Sequence, residues 1–319
     1  MKKVFLCLLG AWTIMACNPT NQKQDSHAQK QENDSLTLTV AVMPTVDCLP
    51  FYYAYETGIF NRLDANISLK TYLAQMDCDT AFCKQHADVA YTDLIRAALL
   101  QSKGTPLYVF MQTDGYHELV TAVSKRIRQP KQMKEKMVGM ARHSVTDYLC
   151  DVLVEKGKFK ADELHQPQIN DIALRTAMLQ NATLDAAFLP DPYATQAKMH
   201  QNRGILNSKN EKIQLTAMMV HWNALKKAQK AKALKGLIAG YNQAVDELKL
   251  PENQIKAKHL LRPYQVEQAT LDSLKLPTYS IAKLPEQEQI QQALNWIEKE
   301  NLLKHNYNGD SLTTKELIK

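Results

Sequence analysis

The sequence predicts an α/β fold in which mainly parallel sheets are covered by helices on both faces. Three observations predict it. Short alternating or wholly apolar runs recur between amphipathic helical stretches, and that alternation starts over near the middle of the chain. The chain has 319 residues, 45% hydrophobic and 23% charged, the make-up of a globular protein with room for two domains. Strands separated by helices pair in parallel, because a parallel neighbour needs a long crossover to return to the same end of the sheet.

The elements follow in order. LTLTVAV (36–42) alternates and then turns wholly apolar, as a strand entering a buried sheet does. FYYAYETGIF reads as a helix ending near Gly58, and ISLKTYL (67–73) as a second strand. MDCDTAFCKQH suggests a short helix capped by Asp77 or Asp79, followed by the strand DVAYT (88–92). DLIRAALLQSKG is a helix closed by Gly104, and LYVFMQT (107–113) is another strand. The pattern then restarts with the strand MVGMAR (137–142), a helix capped by Ser144, and the strand DAAFLP (185–190) ending at a Pro-Asp-Pro turn. LTAMMV (215–220) leads back to the first sheet. Beyond it the chain is mostly helical, with stripes at Leu234, Leu237, Ile238, Tyr241, Val245 and Leu248 and at Ile290, Ala293, Leu294 and Ile297 that read as core faces.

The first 35 residues obey different rules. Lys2 and Lys3 precede an apolar run from Val4 to Met15, and the small residue Ala16 precedes Cys17. The run is too short to span a bilayer and has the layout of an export signal. IMAC resembles the lipobox of bacterial lipoproteins, which implies a signal peptide at 1–16, cleavage before Cys17 and lipid on Cys17. An ordinary secretory signal cut elsewhere is the alternative. NPTNQKQDSHAQKQENDS contains no large apolar residue, so 17–35 is expected to be a flexible tether.

A net charge of +6 is too mild and dispersed for a nucleic-acid partner. The lysines of LKKAQKAKALK (225–235) suit either an anionic surface or an ordinary solvated helix face. Export permits disulfides, and one bridge among Cys48, Cys78 and Cys83 is expected, with Cys150 as a buried thiol. No CxxC or paired-His spacing supports a metal site, and no cofactor is expected. GxGxxG, P-loop, GxSxG, HExxH and EF-hand spacings are all missing. That lowers the odds of catalysis.

In an open parallel sheet, ligands sit outside the carboxyl ends of the strands. Those ends carry Thr45, Asp47 and Cys48, then Gln75, Asp77 and Asp79, then Thr92 and Asp93, then Asp114 and Tyr116. In the second unit they carry Arg142, His143, Ser144 and Thr146, then Asp191. Tyr52, in the triplet Phe51–Tyr53, offers a face for a flat ring, although such a triplet equally suits a core. Asp47, Asp77 and Ser144 also suit plain helix caps.

ADVAYTDLIRAALLQSKG (87–104), VGMARHSVTDYLCDVL (138–153) and LRTAMLQNATLDAAFLPDPYATQA (174–197) resemble segments of the solute-binding proteins of ABC importers, in the branch that takes nitrate, sulfonate, taurine and thiamine precursors. The resemblance implies a two-lobed periplasmic-binding-protein fold of type II. Lobe 1 would be 36–121 plus 217–319 and lobe 2 would be 122–216, with crossings near Thr121–Val123 and Ala217–Val220. One small polar organic solute would be held between the lobes and delivered to a permease and its ATPase by a monomeric, non-catalytic protein, periplasmic and anchored by lipid. The first loop lacks a Trp-Pro-Asn run, and no Gly-Ser run marks a sulfonate site. The carboxylates of these loops favour a neutral or cationic nitrogen compound, whereas Arg142 and His143 favour a carboxylate or sulfonate. An enzyme on the same two-lobed scaffold, of the thiamine-pyrimidine synthase or menaquinone-pathway dehydratase type, is the rival reading.

Overall fold

Leu38, Val40, Ala41 and Val42 are fully buried, and the strand they form starts the first of two five-stranded sheets. The computed structural model describes residues 36–303, 307 and 309–317, so the signal peptide, Cys17 and the tether lie outside the described residues. The first sheet contains β1 (Leu38–Val42), β2 (Ile67–Thr71), β3 (Val89–Asp93), β4 (Leu107–Gln112) and β10 (Thr216–His221), in the order β2-β1-β3-β10-β4. The second contains β5 (His117–Thr121), β6 (Lys136–Gly139), β7 (Leu164–His165), β8 (Ala186–Pro190) and β9 (Arg203–Asn207), in the order β7-β6-β8-β5-β9. β1 is parallel to β2 and β3, and β6 is parallel to β7 and β8. In each sheet the fourth strand of the order runs antiparallel to both its neighbours, β10 in one and β5 in the other. The two lobes therefore share one topology.

The chain passes between the sheets twice, at 113–116 and at 208–215. Both passages come earlier than the sequence reading put them. HELVT pairs with β8 and β9, so β5 belongs to the second lobe and not to the first.

The helices are α1 (Leu49–Glu56), α2 (Ile59–Arg62), α3 (Gln75–Cys83), α4 (Leu94–Ser102), α5 (Val145–Gly157) and α6 (Ile172–Gln180). They continue with α7 (Tyr193–Met199), α8 (Trp222–Leu225), α9 (Ala228–Glu247), α10 (Pro251–His259), α11 (Gln268–Ser273) and α12 (Gln287–Lys299). Both expected stripes, on α9 and α12, are buried, at about 1.5–3 kcal/mol for each large side chain. Gly58 and Gly104 lie at φ 72° and 95°, the left-handed conformation that ends α1 and closes the turn after α4.

Caps differ in part from expectation. Ser144 does cap α5, its Oγ accepting from Thr146 N at 3.1 Å, and Asp93 caps α4 by accepting from Arg96 N at 2.9 Å. The N-cap of α3 is Ala74 and neither aspartate. Asp79 instead turns inward to an ion pair with Arg96, and Asp77 is exposed in the first turn.

The expected disulfide is not formed. Cys48, Cys78, Cys83 and Cys150 are all free thiols, and Cys150 is buried as expected. Cys78 and Cys83 share α3 five residues apart, which sets them on different faces. Cys78 is in the core beside Cys48, while Cys83 is exposed and near Thr105 Oγ1 at 4.0 Å. The aromatic triplet is also structural: Phe51 packs on Tyr241 at 4.8 Å, the Tyr52 hydroxyl bonds with Thr71 Oγ1 at 2.8 Å, and Tyr53 donates to Glu247.

Residues 37–319 form one compact unit that holds both sheets and the whole described core, so every described core contact is kept when the residues before it are removed. Among the described residues, no helix is long and apolar enough to cross a membrane, and no three His, Cys, Asp or Glu side chains are placed to hold a metal.

Candidate functional site

The carboxyl end of β3 meets the start of α5 across the two lobes, and hydrogen bonds close the seam. Asp93 Oδ2 accepts from Gln75 Nε2 at 2.9 Å and from Val145 N at 3.1 Å. Arg96 Nη1 donates to Arg142 O at 3.1 Å, Ile172 N to Leu73 O at 3.0 Å, and Val46 N to Asp191 O at 2.9 Å. The lobes are thus shut on each other.

Inside the seam lies a cavity of about 30 Å³. The first lobe supplies Met43, Thr45, Gln75 and Tyr91, and the second supplies His117, Ser144, Thr146, Asn170 and Arg175. That volume holds one or two waters, so a solute enters only when the lobes part. Thr45 Oγ1 is buried there with no hydrogen-bond partner. Ser144 and Thr146 hydroxyls are tied to the Ala141 backbone.

Arg175 dominates the electrostatics. Its side chain is 2% exposed, yet no carboxylate among the described residues forms an ion pair with it. Nε donates to Ile169 O and Nη1 to Phe188 O, both at 2.8 Å, and Nη2 reaches Asn170 O at 3.4 Å. Burial pushes its pKa down to about 10, and the nearby Asp171 opposes the fall only in part. His117 lies on the same wall, and burial, followed by the charge of Arg175, pushes its pKa down to about 3. It is therefore a neutral ring.

The carboxylates that suggested a cationic solute are engaged elsewhere. Asp93 is surrounded by three donors, and Asp79 is paired with Arg96. Burial raises the pKa of Asp47, and the Thr113 hydroxyl at 2.6 Å opposes the rise. Asp114 accepts from Ser280 N at 2.7 Å and Ser280 Oγ at 3.2 Å. Asp47, Asp114, Tyr116 and Asp191 line a second cleft of about 280 Å³ beside the crossings. Gly115 has no room for a side chain there, since a Cβ would strike Asp47 and Thr216.

Of the residues read from the sequence, Thr45, Gln75, Ser144 and Thr146 meet at the cavity. Asp93 builds the seam and Thr92, fully buried, backs it. Cys48 and Tyr52 belong to the core. Asp77, Arg142 and His143 are exposed and do not line the cavity. Arg175 and His117 were missed. The signal for Arg175 was present: with Ile172, Thr176 and Leu179 it falls on the buried stripe of α6, an odd place for an arginine.

A third groove, of about 570 Å³, runs between α5 and α12. α12 also packs against α4 of the first lobe. Trp296 Nε1 donates to Asp151 Oδ2 at 3.0 Å, Lys299 Nζ lies 3.1 Å from the same oxygen, and the Tyr148 and Trp296 rings are 5.9 Å apart. These contacts latch the two lobes together, and the groove is larger than the cavity in the seam and the cleft beside the crossings.

Two sheets of matching topology, joined by two crossings and shut on a cavity, define the two-lobed periplasmic-binding-protein fold. The chain belongs to the NMT1/THI5-like family, which its residues 45–252 match. A comparison with curated proteins finds no match. Among solved structures it is similar to the ligand-binding component of an ABC-type import system from Staphylococcus aureus, with TM-score 0.74 and 11% identity over 88% of this chain and 97% of that one. It is similar to the periplasmic aliphatic sulphonate binding protein SsuA from Escherichia coli, with TM-score 0.69 and 15% identity over 88% and 92%. The periplasmic nitrate-binding protein NrtA from Synechocystis PCC 6803 gives 0.68 and 13% over 85% and 83%.

Proposed function

We propose that this chain is the solute-capturing component of an ABC import system and that its solute is a small molecule with an anionic group. The observation that carries the solute class is Arg175, a buried guanidinium with no carboxylate partner, facing a cavity to which both lobes contribute. An anion bonded to Arg175 from the second lobe and to Thr45 from the first interacts with both lobes only when they are shut. Such differential contact drives closure, and the shut form is what a permease reads. The similar import-system, sulphonate- and nitrate-binding proteins support the same reading.

The rest of the reading follows from the chain's front end. Cys17 carries lipid, the segment to residue 35 is a leash, and the protein works as a periplasmic monomer beside the permease and its ATPase, without catalysis. A leash raises the local concentration near the partner. The test is a thermal-shift screen of residues 37–319 against small sulfonates, carboxylates and nitrate, with amines and pyrimidines as contrast. An anion at 100 times its dissociation constant adds about 2.7 kcal/mol. Stabilisation by amines alone, or turnover of any compound in the screen, would sink the reading. Mass spectrometry of the native N-terminus tests the lipid separately.

A further inference from the structure

Trp222 opens α8 with 44% of its surface exposed, a large indole at an edge of the first lobe with no described element covering it. The Lys226 ammonium stands 5.3 Å from its ring centroid and the Tyr108 ring 5.7 Å away. Lys226 and Lys227 are exposed and have no ion pair among the described residues. The nearby carboxylates are already neutralised, Asp88 by Lys230 at 2.6 Å and Asp64 by Lys232. The edge therefore carries uncompensated positive charge around an aromatic ring, a combination suited to the boundary between headgroups and acyl chains.

The start of the described chain indicates what this edge faces. Val40 of β1, Val89 of β3 and Val220 of β10 stand in register across the first sheet. With strands about 4.8 Å apart, Val40 and Val220 are about 10 Å from each other. Asp88 ties the same points together, accepting from Thr39 N at 3.0 Å and from Lys230 of α9 at 2.6 Å. The chain before Thr39 therefore leaves the body at the edge that presents Trp222 and the lysines. The solute cavity is at the opposite end of β3, beyond Asp93.

We propose that this edge of the first lobe, Trp222 with Lys226 and Lys227, rests on the anionic headgroups of a lipid bilayer. The inference rests on Cys17 being the anchor. At about 3.5 Å per residue the chain from Cys17 to Leu36 spans at most about 65 Å, so the edge is held within reach of the surface. Each lysine against an anionic surface strengthens binding by a factor of about five. Contact through this edge parks the protein with its cleft turned away from the bilayer, and delivery requires it to lift off and turn.

The test uses residues 37–319, which lack Cys17, with Trp296→Phe so that Trp222 is the sole indole. The probes are vesicles of phosphatidylglycerol mixed into phosphatidylcholine, and vesicles of phosphatidylcholine alone. Expected are flotation with the anionic vesicles, a blue shift of Trp222 fluorescence, and loss of both at high salt. Lys226→Glu with Lys227→Glu lowers the partition coefficient at least about 30-fold, while in protein that keeps Trp296 the same pair of substitutions leaves the melting shift with small anions unchanged. Equal binding to neutral vesicles, no blue shift, or no effect of the double variant overturns the proposal. So does a dimer in sedimentation that shields Trp222. Failure of the anion screen with vesicle binding intact strikes only the solute reading.

Discussion

Replacing Arg175 by Met removes the charge and keeps most of the side chain's length. Among the described residues the guanidinium is hydrogen-bonded by three backbone carbonyls and ion-paired to no carboxylate, so burial lowers its pKa from 12.5 to about 10. At 1.36 kcal/mol per unit, that is about 3 kcal/mol of desolvation not returned in the empty protein. An anion seated against Arg175 recovers up to that amount, so Arg175→Met weakens anion binding by about 100-fold. Stability of the empty protein changes by less than about 2 kcal/mol, because relief of the buried charge offsets the carbonyls of Ile169 and Phe188 left unpaired. Melting curves with nitrate, acetate and methanesulfonate measure both quantities at once, and methanesulfonamide serves as the uncharged control. Two results refute the reasoning: an Arg175→Met variant that keeps its anion shift within threefold, or wild type that responds equally to the sulfonamide.

Three further predictions concern the body of the protein. Burial holds the His117 pKa near 3 against an ordinary value of 6.5, so the unfolded chain binds the extra proton between those values and stability falls as pH drops. The difference between wild type and His117→Gln in urea midpoints from pH 7 to pH 4 should isolate a slope of about 1.4 kcal/mol per pH unit below pH 6. Asp151→Ala removes the acceptor of Trp296 Nε1 and Lys299, loosening the shut form. The radius of gyration in solution scattering should rise and anion affinity fall about threefold to tenfold, with the melting temperature nearly kept. In folded residues 37–319 a thiol reagent should modify Cys83 alone, and Cys48, Cys78 and Cys150 only after unfolding. Loss of a reactive pair without reductant would restore the disulfide that the structure lacks.

The order of strands and helices was legible because burial on one face leaves a period in the sequence, 2 for strands and 3.6 for helices. β1 and β4 are mostly apolar runs, β3 is apolar up to its polar end at Thr92 and Asp93, and α9 and α12 show clear stripes that the structure buries. Ser144 could be read as a cap because capping chemistry is local. HELVT and RGILN were not assigned: each is short and mixes charges into the pattern, and only pairing with β8 and with each other makes them β5 and β9. This is why the crossings fall earlier than expected.

The site divides along the same line. Residue types near strand ends depend on topology alone, so Thr45, Gln75, Ser144 and Thr146 could be placed from sequence. The direction of a side chain and the partners it meets depend on packing between distant segments. His143, at φ 51°, and Arg142 are exposed beside α5, although sequence put them in the site. Arg175 looked like one polar residue in a helix, and packing of α6 against β8 turned it inward, onto the carbonyl of Phe188. The sequence by itself determined two α/β units, their helical faces and the loops between them. Tertiary structure alone decided which charge is buried without a partner, because desolvation depends on everything packed around a group and not on its neighbours in the chain.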